Sequence, residues 1–195
     1  MSTAINLCIA KSTHCAGMLD IYRPFIESGW TSFETEVPSE VDFLTRVEKT
    51  LVQFPWLVAT DKQNEVVGYA YGGAHRSRAA YQWNSELSVY VHPNWRKKGV
   101  ARHLYKVLMH ILIEQGYVNF LAGITLPNDA SVAFHEKLGF EKIGIYRNIG
   151  YKMGQYRDVG WWSLFVGNPD KKPEKPTPFP EMPTETIQKI INQYL

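Results

Sequence analysis

Ser88-Val89-Tyr90-Val91-His92-Pro93-Asn94-Trp95-Arg96-Lys97-Lys98-Gly99-Val100-Ala101 carries a strand into a helix. Apolar residues run to Val91, and Pro93 removes the amide donor that a continuing strand needs. From Gly99 the period changes: Val100, Leu104, Val107, Leu108, Ile111 and Leu112 share one helical face, and Gly116 stands where a left-handed C-terminal residue belongs. The first amides of such a helix lack intrahelical acceptors, and the helix dipole adds positive potential there. A turn of this kind suits a phosphate or diphosphate. Gly99 and Ala101 let a bulky anion approach the main chain, while Arg96, Lys97, Lys98 and Arg102 bring positive charge. Taken alone, the same residues also fit an ordinary strand-to-helix turn with a solvated basic corner.

Upstream, Trp56-Leu57-Val58-Ala59 and Val66-Val67-Gly68-Tyr69-Ala70-Tyr71 flank the polar turn Asp61-Lys62-Gln63-Asn64 and read as an antiparallel pair. A loop of small and basic residues over 72–80 leads to the strand of residues 86–91. Before these, a strand is expected over 5–10 and a helix over 13–27. Pro38-Ser39-Glu40 opens a second helix, with Pro38 in its first turn and Val41, Leu44, Val47 and Leu51 on its apolar face. Downstream, the apolar run 118–124 reads as a buried strand. Asn128-Asp129 caps a short helix carrying Val132, Phe134 and Leu138 and stopped by Gly139. Two more strands are expected over 141–147 and 159–166. This order gives an α/β fold, a mixed sheet with helices packed on it.

The character changes after Gly167, so residues 1–167 form the expected domain and 168–195 an extension. Six of the eleven prolines fall between Pro169 and Pro183, a composition that favours extended, semi-rigid chain. Ile187, Ile190, Ile191, Tyr194 and Leu195 then form a helical apolar stripe. Such a stripe is expected to dock on this domain or on a second subunit, with a frayed tail as the alternative, and docking across a dimer is the hypothesis favoured here.

An apolar fraction of 45% over 195 residues excludes disorder along the whole chain. A net charge of +2 gives no general attraction to nucleic acid or an acidic membrane, and a local Arg96-Lys97-Lys98 cluster is a weak basis for either. Cys8 and Cys15 fit free thiols of a reducing compartment. The histidines lack metal-ligand spacing, so no metal is expected. Neither a signal peptide nor an apolar run of membrane-spanning length is apparent, which makes the cytoplasm the expected location.

The turn does not stand alone. A small-residue turn of the form Arg-x-x-Gly-x-Ala, a downstream Asn128 and then Glu136-Lys137-Leu138-Gly139-Phe140 resemble the signature of the GNAT superfamily of N-acetyltransferases. Within it, the chain resembles the phosphinothricin acetyltransferase group. That likeness rests on Phe54-Pro55-Trp56-Leu57-Val58-Ala59, Arg78-Ala79-Ala80-Tyr81-Gln82-Trp83, Leu126-Pro127-Asn128-Asp129, Gly150-Tyr151-Lys152 and Asp158-Val159-Gly160-Trp161-Trp162. The resemblance implies a V-shaped mixed sheet, acetyl-CoA as donor in the splay between two central strands, and a homodimer.

Acetyl transfer to an amine needs a base, a polarised carbonyl, alignment and a departing thiolate, and no covalent enzyme intermediate. The resemblance puts the catalytic carboxylate at Glu86. It puts His135 where the wider superfamily often has a Tyr that protonates the thiolate; an imidazole can do that or help deprotonate the amine. A backbone amide of Val89-Tyr90-Val91 is expected to hold the acetyl carbonyl, and Asn128 either contacts the pantetheine or braces the strand end. For the acceptor, Phe33 matches an aromatic pocket wall, with Tyr81 beyond the basic loop. Arg76 and Arg78 offer guanidinium forks suited to paired oxygens. The group has Lys-x-Arg where this chain has Arg-x-Arg, which leaves the acid group open. The implied reaction is acetylation of the α-amine of a small amino acid such as phosphinothricin, methionine sulfoximine or methionine sulfone. Alternatives are another primary amine (a protein N-terminus or an aminoglycoside) and a non-catalytic acetyl-CoA sensor.

Overall fold

The computed structural model describes residues 5–194. Its strands are β1 (Asn6–Ile9), β2 (Trp56–Thr60), β3 (Val66–Ala74), β4 (Asn84–Val91), β5 (Asn119–Leu126), β6 (Glu141–Lys152) and β7 (Gln155–Phe165), in the spatial order β1-β2-β3-β4-β5-β7-β6. Neighbours are antiparallel except β4 and β5. The helices are α1 (Cys15–Glu27), α2 (Glu40–Leu51), α3 (Val100–Gln115), α4 (Asp129–Lys137) and α5 (Thr184–Asn192). Among the described residues no helix is long and apolar enough to cross a membrane.

The parallel pair is what shapes the molecule. β4 and β5 share only three rungs, Asn84 with Asn119, Ser85 with Phe120 and Glu86 with Leu121. Beyond them β4 stays with β3 up to Val91, while β5 stays with β7 up to Leu126. The sheet therefore opens into a V just after Glu86.

Each face of the sheet has its own core, because strand side chains alternate. On one face Leu87 packs with the α3 stripe; Val100, Leu104, Val107, Leu108, Ile111 and Leu112 are each no more than 2% exposed. On the other, α1 and α2 cover Trp56, Val58 and Tyr69, with Tyr90 packed beside them.

Several local expectations change. β3 runs on to Ala74 because Gly73 and Ala74 pair with Glu86 and Ser85, so the loop begins later than glycine content alone implied. Ser39 caps α2 by accepting from the Asp42 amide, which leaves Pro38 outside the helix. Val41 of that helix is 73% exposed, and Phe43 and Val47, one turn apart, are the buried pair. β6 and β7 are longer than their apolar runs. They meet at Met153 and Gly154, both at positive φ, and a register shift between Tyr146 and Gly150 absorbs the polar middle.

The extension packs on its own chain rather than across a dimer. Thr177 N donates to Gln115 O at 2.7 Å, and Gln115 Nε2 donates back to Thr177 O at 2.8 Å. Phe179, Ile190 and Ile191 join the α3 core. Burying the two isoleucines stabilises this docking by about 1.5–3 kcal/mol each. Leu195, the last member of the expected stripe, lies outside the described residues.

Candidate active site

The splay opens a cleft of about 740 Å³. Val89 and Val91 form one wall, and Arg96, Lys97, Gly99, Val100, Ala101 and Arg102 form its floor. Gly99 caps α3 at φ 86, and Lys97 holds φ 59, so the chain turns in two left-handed steps to aim the first helical amides at the cleft. The strand contributes amides as well. His92 N donates to Val67 O on β3, while the Leu87 carbonyl faces away from β3 and accepts from the Tyr105 hydroxyl at 3.2 Å. By strand alternation the amides of Val89 and Val91 therefore face the gap that β5 has left, and the Tyr90 amide faces β3.

Two expected cofactor residues lie elsewhere. The Tyr90 ring stacks on Tyr69 at 5.2 Å and meets Tyr22 and Phe25 edge-on, on the face covered by α1, because even-numbered β4 side chains point there. Burial pushes its phenol well up. The Lys98 ammonium sits 5.1 Å from the Trp95 ring centroid and is not part of the lining. Asn128 lines the cleft and caps α4, its Oδ1 accepting from Ser131 N at 3.2 Å. Phe25, Thr31, Trp95, Phe134 and Lys137 also line the cleft. Phe134 was expected as a core residue of its helix and Lys137 lies in the downstream signature, while Phe25 and Thr31 carried no sequence signal for the cleft.

His135 is 4% exposed and does not reach the cleft. Its Nδ1 donates to Ser131 O at 2.8 Å, and its Nε2 meets the Tyr105 hydroxyl at 2.9 Å. The rings of Phe134, Tyr105 and Phe140 pack edge-on around it. Burial lowers its pKa, which favours the neutral imidazole; the one Tyr105 hydroxyl proton is then shared between His135 Nε2 and the Leu87 carbonyl. The geometry ties α4 to α3 and engages both ring nitrogens.

Glu86 stands at the last shared rung of β4 and β5, on the face opposite Leu87. Its Oε1 accepts from Nδ1 of His75 at 2.5 Å, a partner that no motif had singled out. His75 is held edge-on between Tyr81 and Trp161, with ring centroids at 6.1 and 5.4 Å. The Trp161 ring lies on Gly123, where a Cβ would come within 3.2 Å of it. His75, Arg76, Arg78 and Tyr81 line a second cavity of about 300 Å³, together with Lys175 and Pro176 of the extension. Arg76 also donates to the Tyr146 hydroxyl at 3.2 Å.

Phe33 is not brought to that lining. Its ring lies on Gly150, so close that a Cβ there would overlap it. The loop around it is fixed by buried Lys152, whose Nζ donates to Ser32 O at 2.7 Å and Phe25 O at 3.3 Å. This accounts for Gly150 and Lys152 occurring together. Among the described residues, no group of three His, Cys, Asp or Glu side chains converges as a metal site would require.

Comparison with known proteins matches this architecture. Residues 16–161 fit the model of the acetyltransferase (GNAT) domain. The chain is 37% identical to a phosphinothricin N-acetyltransferase of Streptomyces viridochromogenes over 78% of its length and 83% of that protein. It is 33% identical to an L-methionine sulfoximine/L-methionine sulfone acetyltransferase of Pseudomonas aeruginosa, covering 76% of this chain and 87% of that one. The fold superposes on a crystal structure of a phosphinothricin acetyltransferase from Sinorhizobium meliloti in complex with AcCoA with a TM-score of 0.84, at 30% identity, over 90% of this chain and 95% of that one. A sheet splayed after Glu86, a left-handed glycine at the start of α3 and a match over most of the chain agree: this protein belongs to the GNAT family of acetyltransferases.

Proposed function

We propose that this protein transfers the acetyl group of acetyl-CoA to the α-amine of a small amino acid with an anionic or strongly polar side chain, in one step within a ternary complex. The observation that carries this reading is the division of β4. Amides of Val89 and Val91 face the cleft, while the Glu86 carboxylate stands on the opposite face at the point where the strands part. A cleft of about 740 Å³ with glycine and free amides at its floor fits a long diphosphate-bearing thioester.

In this reading the amides of residues 99–102, with Arg96, Lys97 and Arg102, hold the diphosphate. One of the two amides, of Val89 or Val91, stabilises the carbonyl oxygen as it gains charge, since the pair lie about 6.5–7 Å apart along the strand. His75 orients Glu86 through Oε1 and leaves Oε2 for the amine. Glu86 takes the amine proton, directly or through one water, as nitrogen bonds to the acetyl carbon and the carbon–sulfur bond breaks. The sulfur leaves with the electron pair and takes its proton from solvent. His135 serves here as a brace between α3 and α4, since both its nitrogens are engaged.

Arg76 and Arg78 recognise the acceptor's oxygen-rich side chain. The names of the relatives support this, because phosphinothricin, methionine sulfoximine and methionine sulfone are amino acids with such side chains. Initial rates on a panel of amines test it. Turnover of methionine sulfone or phosphinothricin, with little of aminoglycosides or peptide N-termini, is expected; no turnover of either amino acid would sink the reading.

The β6–β7 hairpin exposes Ile143, Ile149, Tyr151, Met153 and Tyr156, each at 47–64%. Such a patch suits a second copy of the chain, and a homodimer joined there is part of the proposal; Ile149→Asp is expected to shift the sedimenting species to monomer. Cys8 and Cys15 are free, and burial pushes both thiols up, which suits the reducing cytoplasm.

A further inference from the structure

His103 N is the first α3 amide bonded to the cofactor turn, donating to Gly99 O at 3.0 Å. Helical side chains lean toward the N-terminus, and the His103 imidazole lies over Gly99. A Cβ built on that glycine would sit 3.6 Å from Cδ2 and 3.7 Å from Nε2. The other edge of the ring belongs to the extension: Nδ1 donates to the Tyr194 carbonyl at 2.8 Å. Two turns along α3, His110 meets the Tyr194 hydroxyl at 3.4 Å, with the rings edge-on at 5.9 Å. Behind this contact Ile190 and Ile191 are each 3% exposed in the α3 core. Tyr194 is thus latched along α3 at two points, and one of them backs the residue that gives the turn its left-handed step.

We propose that α5 and His103 form a brace that holds the Lys97–Gly99 turn in its diphosphate-binding shape, making His103 a positioning residue for acetyl-CoA. The inference rests on reading the splay cleft as the acetyl-CoA site. Two successive left-handed steps are conformations that a free loop samples with many others. A ring packed on Gly99 and tethered to a docked helix removes those alternatives before the ligand arrives, and binding then costs less ordering. The Pro-rich segment is what returns the chain from the end of the sheet to the start of α3.

Calorimetric titration with CoA and initial rates in acetyl-CoA test the brace. His103→Ala is expected to weaken CoA binding and raise the acetyl-CoA KM by about fivefold or more, with kcat changed by less than about twofold, the low end of site-to-site coupling. His103→Asn keeps a donor near the Tyr194 carbonyl and recovers most of the loss. Removing residues 184–195 produces a similar loss, and His103→Ala then adds nothing further, the non-additivity of two parts of one contact. Equal CoA affinity in wild type and His103→Ala, or fully additive losses, overturns the brace. Should the shortened chain not fold, amide exchange in the full chain serves instead: CoA slows exchange over residues 187–194 in wild type and not in His103→Ala, because coupling is reciprocal. The same slowing in both chains overturns the brace. A wild type that binds no CoA overturns the cofactor reading, and the brace with it.

Discussion

The two faces of β4 are built from different material. In the proposed reading the functional groups on the cleft side are main-chain amides, of Val89 and Val91 on the strand and of the turn that begins α3. On the other side the proposed groups are side chains drawn from distant segments: Glu86 on β4, His75 and Arg76 after β3, Trp161 on β7 and Tyr146 on β6. A backbone site needs only small residues and a particular pair of φ angles. A side-chain site can be retuned one residue at a time, which suits a family whose members share a donor and differ in acceptor.

Substitutions sharpen this contrast by striking one face and reading both substrates. The largest expected effect is from Glu86→Gln: kcat falls by about 10²–10⁴, the usual worth of a general base, while the acetyl-CoA KM stays close to wild type. Arg76→Ala combined with Arg78→Ala is expected to raise the acceptor KM by about tenfold or more, since a charge-assisted hydrogen bond contributes about 1.5–3 kcal/mol. The acetyl-CoA KM is again unmoved. A rise in both constants would break the separation of the faces.

Gly99→Ala reverses the pattern. A side chain at φ 86 costs about 1–2 kcal/mol, so the acetyl-CoA KM rises by up to about tenfold and the acceptor KM does not. Smallest in kinetics is His135→Phe, with kcat within a few-fold of wild type. A hundredfold loss would restore the imidazole as the acid that serves the thiolate. Its signature is in stability, a loss of about 1–3 kcal/mol from removing the hydrogen bonds of both ring nitrogens, with the Tyr105 hydroxyl and the Ser131 carbonyl. Burial lowers the pKa of His135, so the unfolded chain binds the proton more readily. The stability it contributes is full above about pH 6.5 and is lost as pH falls toward the lowered value. Denaturant titrations at pH 7 and pH 5 are expected to differ less for His135→Phe than for wild type.

The same contrast decides what the sequence made legible. The strand, turn and helix that border the cleft were readable from one stretch because Pro93, Gly99 and the α3 stripe are neighbours in the chain, and each answers to a local rule. The side-chain direction of Tyr90 and the Trp95 contact of Lys98 were not, since they depend on which face each residue lands on. The surroundings of His135 were hidden for a related reason. Helical spacing puts it beside Phe134 but does not say that Tyr105, thirty residues away, already takes its Nε2. His75 carried no signal at all: its partner is Glu86 across a hairpin whose register depends on β3 continuing through Gly72 and Gly73. The α5 stripe was plain in the sequence, while the surface it covers required the path of the Pro-rich segment.

The most direct measurement is CoA thiol release from acetyl-CoA in the presence of methionine sulfone or phosphinothricin, for wild type and Glu86→Gln. The expected result is stoichiometric thiol release and N-acetyl amino acid in wild type, and a rate lower by about 10² or more in Glu86→Gln. A wild type that binds CoA yet releases no thiol with either amino acid, or a Glu86→Gln variant as fast as wild type, would contradict the assignment of β4 as donor wall on one face and catalytic base on the other.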